Sequence, residues 1–110
     1  MKIAITSPNG KSISGHAGKC PGYLVYDIQQ GRLHGKQHIK LTKDQVFRHF
    51  SGALSSHPDH PLHGINCLIT QGIGDGLHQR LTHDGIQVLV TEMADSDEAV
   101  QQVVMAFSTP

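Results

Sequence analysis

The chain has 110 residues, with nine Lys+Arg balanced by nine Asp+Glu and matched by nine histidines. That length sets a single domain over residues 1–110 as the expectation, and a 37% hydrophobic content argues against disorder. Neutrality removes the basic footprint of a nucleic-acid binder. The lack of any apolar run of about 18 residues removes a membrane-spanning helix.

Residues 1–8 carry one charge and no long apolar stretch, so no secretory signal is read there. The expected setting is the cytoplasm, where Cys20 and Cys67 stay reduced.

Alternating β-branched residues predict a first strand over Lys2–Thr6, stopped by Ser7-Pro8-Asn9-Gly10. Residues 12–22, which contain three glycines, Gly15, Gly18 and Gly22, read as an ordered loop. Residues 23–28 predict a second strand. Gln30-Gly31 turns the chain, and residues 32–39 return as a third, completing a hairpin. Thr42-Lys43-Asp44-Gln45 has the form of a capping box, and Leu41 with Val46 that of a hydrophobic staple. Val46, Phe47, Phe50, Ala53 and Leu54 then share one helical face, which predicts a helix to about Ser55.

Residues 56–64 form a loop punctuated by Pro58 and Pro61. Residues 65–70 predict a strand buried on both faces. A helix follows Gly72-Ile73-Gly74-Asp75-Gly76, carries Leu77 and Leu81, and ends at Asp84-Gly85. Residues 86–90 predict another buried strand. Asp95 with Glu98 opens a last helix, with Val100, Val103, Val104 and Phe107 as its apolar stripe. The order β-β-β-α-β-α-β-α specifies an α/β fold, a five-stranded mixed sheet with helices packed on it.

Histidine is the commonest protein metal ligand, so its clusters are the first places to look for chemistry. In Ser14-Gly15-His16-Ala17-Gly18-Lys19-Cys20, His16 and Cys20 are ligands for iron, zinc or copper. Gly15 and Gly18 permit close approach of a ligand, and Lys19 can pair with an anion. The alternative is a glycine-shaped turn with Cys20 packed beneath it.

A second candidate is His57, His60 and His63. The intervening prolines favour polyproline II, which aligns the three rings on one edge roughly 9 Å apart at ~3.1 Å per residue. That is a wide spacing for one ion, and a solvated loop is the competing reading.

Gly72 and Gly74, between strand and helix, offer amides to an anion or simply a tight turn, and Asp75 beside them would oppose a phosphate. The spacing is not a dinucleotide fingerprint, and no Gly-Lys-Ser/Thr follows. His34, His38, His49, His78 and His83 are scattered and are assigned to surface or packing. Cys67 reads as a small core residue. No Gly-x-Ser-x-Gly elbow is present, and the acidic residues cluster at helix starts, where they cap. A non-catalytic protein is expected.

The Met1–Ile5 strand, Ser14-Gly15-His16-x-Gly18-x-Cys20-Pro21, Tyr23 to Asp27, Gly-Ile-Gly-x-Gly at 72–76, Leu81, Gly85-Ile86-x-Val88 and a closing helix after Asp95 together resemble the dinitrogenase iron–molybdenum cofactor biosynthesis family over nearly the whole chain. The resemblance implies a ribonuclease H-like fold without ribonuclease chemistry. It also implies a carrier of an iron–sulfur or iron–molybdenum cluster that passes it between donor and acceptor proteins. Carried over by position, His16 is the leading cluster ligand, with Cys20 and Lys19 beside it. The chain departs from the family at Ala17, where members often carry an aromatic, and in the loop at 57–63. The alternative function is a zinc or nickel sensor or store using His57, His60 and His63, and a third is a binding module without metal.

Overall fold

In the computed structural model, which describes residues 1–108 with side chains through Ala106, the central strand is the first in sequence. β1 (Lys2–Thr6) lies between β2 (Gly22–Gln29) and β4 (Cys67–Thr70). β3 (Arg32–Lys40) and β5 (Gln87–Val90) form the edges, giving the order β3-β2-β1-β4-β5. The hairpin pairs are antiparallel and β1, β4 and β5 run parallel. The sheet is therefore mixed, as the strand spacing predicts.

Side chains alternate across a strand, and this splits the core into two layers. Ile3, Ile5, Leu24, Tyr26, Cys67 and Ile69 pack on one face against Ala99, Val100 and Val103 of α2 (Ser96–Ser108). Ala4, Tyr23 and Leu68 pack on the other against Leu81 of α1 (Asp75–His83), with Phe47, Leu54 and Leu62. β4 is buried on both faces, as its unbroken apolar run predicts. The Asp95 carboxylate accepts from the Glu98 amide at 3.0 Å and caps α2. Gly85, at φ +79°, closes α1 as expected. Phe107, placed by the sequence on the α2 stripe, has its side chain outside the described residues.

Two expectations are corrected. β5 is not buried: it is an edge strand, and Val90 is 59% exposed. The helix predicted from Thr42 to Ser55 is replaced by three single 3₁₀ turns, Lys43–Gln45, Phe47–His49 and Leu54–Ser56. The start signal itself is real, since Gln45 Oε1 accepts from the Thr42 amide at 2.9 Å. Propagation fails because Val46, Phe50 and Ala53 are extended, with ψ of 136°, 161° and 143°.

Side chains, most of them from outside the segment, take backbone acceptors a helix would use. The Arg80 guanidinium donates to Phe50 O and Phe47 O at 3.0 and 3.1 Å. His60 Nε2 lies 2.7 Å from Gln45 O, and His49 Nδ1 lies 2.7 Å from Lys43 O. His57 Nε2 lies 2.9 Å from Ser51 O.

Candidate functional site

The parallel strands β1 and β4 end on buried threonines that tie two loops together. Thr6 Oγ1 donates to Thr70 Oγ1 at 3.0 Å, and Thr70 Oγ1 sits 2.9 Å from Gly72 O. The loop after β1 is thus held against the loop after β4. His16 and Gly72 form a β-bridge, and the Ala17 amide donates to Gly72 O at 2.8 Å. The C-terminal ends of parallel strands are where open α/β sheets bind ligands.

Gly15 holds φ +93°, a left-handed backbone that turns the loop toward His16. Gly72 lets the imidazole lie flat on the backbone, because a Cβ there would come within 3.3 Å of His16 Cδ2. Ala17 is fully buried, and its carbonyl accepts from Tyr23 Oη at 2.8 Å. Ala17 thereby belongs to the α1-side core layer.

This arrangement opens onto a cleft of about 410 Å³ lined by His16, Gly18 and Lys19, by Phe47 and Arg48, and by Gly74, Gly76, Leu77 and Arg80. Its wall is docked by the Arg48 amide, which donates to Gly18 O at 2.9 Å. No carboxylate lines it. Lys19, Arg48 and Arg80 form no ion pair among the described residues, where Lys36–Asp97 is the only one. Arg80 stacks over Phe47 and Phe50, at 5.9 and 5.1 Å from the ring centroids. Its Nε is buried without a partner, and burial pushes its pKa down. The α1 N-terminal turn, through Gly74 and Gly76, adds a positive dipole end, which Asp75 in the same turn, outside the lining, partly offsets. The cleft is built to attract an anion.

His16 is exposed, and its Nδ1 accepts from the Gly18 amide at 3.3 Å. That bond assigns the ring proton of the neutral imidazole to Nε2.

The structure does not bring Cys20 into the cleft. Cys20 is 3% exposed, its Sγ contacts Gly22 O at 3.0 Å, and burial pushes its thiol up. It packs beneath the loop. Of the glycines singled out in the sequence, Gly18 and Gly74 line the cleft and Gly72 supports His16 from behind. Arg48 and Arg80 were missed. Arg48 sits in the segment read as a helix. Arg80 shared the α1 face with Leu77, and that i, i+3 spacing was the available signal.

His57, His60 and His63 are not in polyproline II. Their backbone forms successive tight turns, with the His60 amide bonded to His57 O and the His63 amide to His60 O. The rings diverge. His57 lies edge-on to Phe50 at 4.9 Å, His60 stacks on Phe47 at 6.0 Å, and His63 Nδ1 lies 3.4 Å from Leu54 O. Both nitrogens of His60 are occupied, Nε2 by Gln45 O and Nδ1 by the Leu62 amide at 3.0 Å. Among the described residues no group of three or more His, Cys, Asp or Glu converges to hold a metal ion. His34, His38, His78 and His83 are exposed, as expected. No helix of the described residues is long and apolar enough to cross a membrane.

The sequence matches the family described as dinitrogenase iron-molybdenum cofactor over residues 1–106. An uncharacterized protein of Methanocaldococcus jannaschii is 28% identical, across 92% of this chain and 83% of its own. A crystal structure of a candidate dinitrogenase from the same organism superposes with a TM-score of 0.72 at 18% identity, covering 100% of this chain and 97% of the other. A candidate NifB protein from Thermotoga superposes at 0.65 and 19% identity, covering 94% and 87%. At these identities the two structures establish a shared fold.

Proposed function

This chain belongs to the dinitrogenase iron–molybdenum cofactor family, and on that premise we propose that it is a small non-catalytic cytoplasmic carrier. Its cargo is an anionic iron–sulfur or iron–molybdenum type cluster, received from a donor protein and passed to an acceptor. The observation that carries this reading is the cleft joining His16, Lys19, Arg48 and Arg80 with no carboxylate in its lining. Such clusters carry net negative charge when ligated by sulfide and thiolate, and a cation-lined, partly desolvated cleft favours them. The strand order β3-β2-β1-β4-β5 supports reading the fold as ribonuclease H-like.

The donor set fits a cluster held chiefly by charge, with His16 at its face. The zinc or nickel alternative has less support, because both ring nitrogens of His60 are bonded within the protein and no group of three potential ligands converges among the described residues.

The test is anaerobic purification with iron and sulfide analysis and a visible spectrum, for the wild type beside His16→Ala and Arg48→Ala. Iron with sulfide in the wild type, lost or weakened in both variants, is the expected result. Zinc or nickel without sulfide, lost on replacing His57, His60 and His63, would favour the alternative.

A further inference from the structure

The cysteines limit how this cleft can hold its cargo. Protein-ligated iron–sulfur clusters are held by sets of about four cysteine thiolates. This chain has two cysteines, both free and buried. Cys20 packs in the α1-side layer and Cys67 in the α2-side layer, so the sheet stands between them and they cannot share a metal. No three-membered group of potential ligands converges among the described residues. One imidazole reaches the cleft, and the bond from the Gly18 amide to Nδ1 leaves its Nε2 as a hydrogen-bond donor. What the cleft supplies in number is donors and positive charge, from Lys19, Arg48, Arg80 and His16, while the one acidic residue of the first turn of α1, Asp75, lies outside its lining.

Resting on the carrier reading, we propose that the cargo enters with its ligand shell already complete and is held by charge and hydrogen bonds, without metal–protein bonds. The chemical class is a coordination-saturated anionic cluster. His16 then donates from Nε2 to a sulfide or terminal ligand. Lys19 and Arg48, both exposed, meet the cluster's charge. Arg80 is a positioning residue, because its two carbonyl bonds fix the turn that carries Arg48. Loading and release require no ligand exchange on this protein, and the affinity is set by ionic strength.

The probe is a cubane iron–sulfur cluster carrying small-molecule thiolates, mixed anaerobically with the full chain and separated from free thiol by rapid gel filtration. Iron, sulfide and thiol are counted in the protein fraction. The full complement of thiolate should travel with the cluster. Binding should weaken about fivefold in Arg48→Gln and by a similar factor in Lys19→Gln, and raised salt should release the cluster. If thiolate is lost on binding and retained in His16→Ala or Cys20→Ser, a metal–protein bond has formed. That overturns the proposal and leaves the carrier reading standing. If neither this probe nor iron supplied with sulfide binds at all, the carrier reading falls and this proposal with it.

Discussion

Two loops hold four of the nine histidines, and their rings do opposite work. In the loop between β1 and β2, His16 is exposed, lies against Gly72 and lines the cleft. In the loop before β4, His57 and His60 point inward onto Phe47 and Phe50 and bond to backbone carbonyls. The second loop has the denser spacing, yet its His60 has both ring nitrogens bonded within the protein. An imidazole is available for a ligand only where its nitrogens are not already committed.

The largest expected effect comes from His60→Ala. It removes a ring stacked on Phe47 and strands Gln45 O and the Leu62 amide, a destabilisation of about 2 kcal/mol. Urea or thermal unfolding measures it, and an unchanged midpoint would break the contrast between the loops.

Acid provides the next test. Burial, followed by the nearby His57 and His63, holds His60 below its ordinary value of 6.5, against the raising effect of its bond to Gln45 O. The unfolded chain therefore binds the proton more readily than the folded one. This contribution is fully present above about pH 6.5 and is lost as pH falls from there toward the depressed folded value. Unfolding midpoints across that window should drop more steeply in the wild type than in His60→Ala.

Gly72→Ala is a smaller perturbation. The new methyl would meet His16 Cδ2 at 3.3 Å, so the ring must shift by a few tenths of an ångström. Stability should fall by less than about 1 kcal/mol, while cluster retention falls measurably. His16→Ala should leave the unfolding midpoint within about 0.5 kcal/mol of wild type, since the ring is exposed, and still lose cargo. Equal instability in His16→Ala and His60→Ala would erase the distinction.

The strands and both helices were legible in the sequence, because the apolar run Ile3, Ala4, Ile5 and the stripe at Val100 and Val103 report burial directly. The segment at 42–55 was not. Thr42, Gln45 and the apolar spacing at Val46, Phe47 and Phe50 are authentic local signals, but the sequence does not show that Arg80 and His60 will claim the carbonyls of Phe47, Phe50 and Gln45. The exposure of β5 was hidden for a related reason, since strand order is a tertiary property. In the site, the glycines and His16 were visible as a motif. Arg48 and Arg80 are 32 residues apart in sequence and meet only in space.

Because the turns of residues 43–56 are fastened to the scaffold largely by side chains, their amides sit outside the cooperative network of the sheet. Hydrogen exchange should register these amides as a separate, earlier-opening unit, while those of β1 and β4 exchange only with global unfolding. Opening the wall that carries Arg48 would break bonds from Arg80 and His60, and the Arg48 amide's bond to Gly18 O, without unzipping any strand pair. On the carrier reading, such a wall would let a bulky guest enter by local breathing while the sheet stays intact.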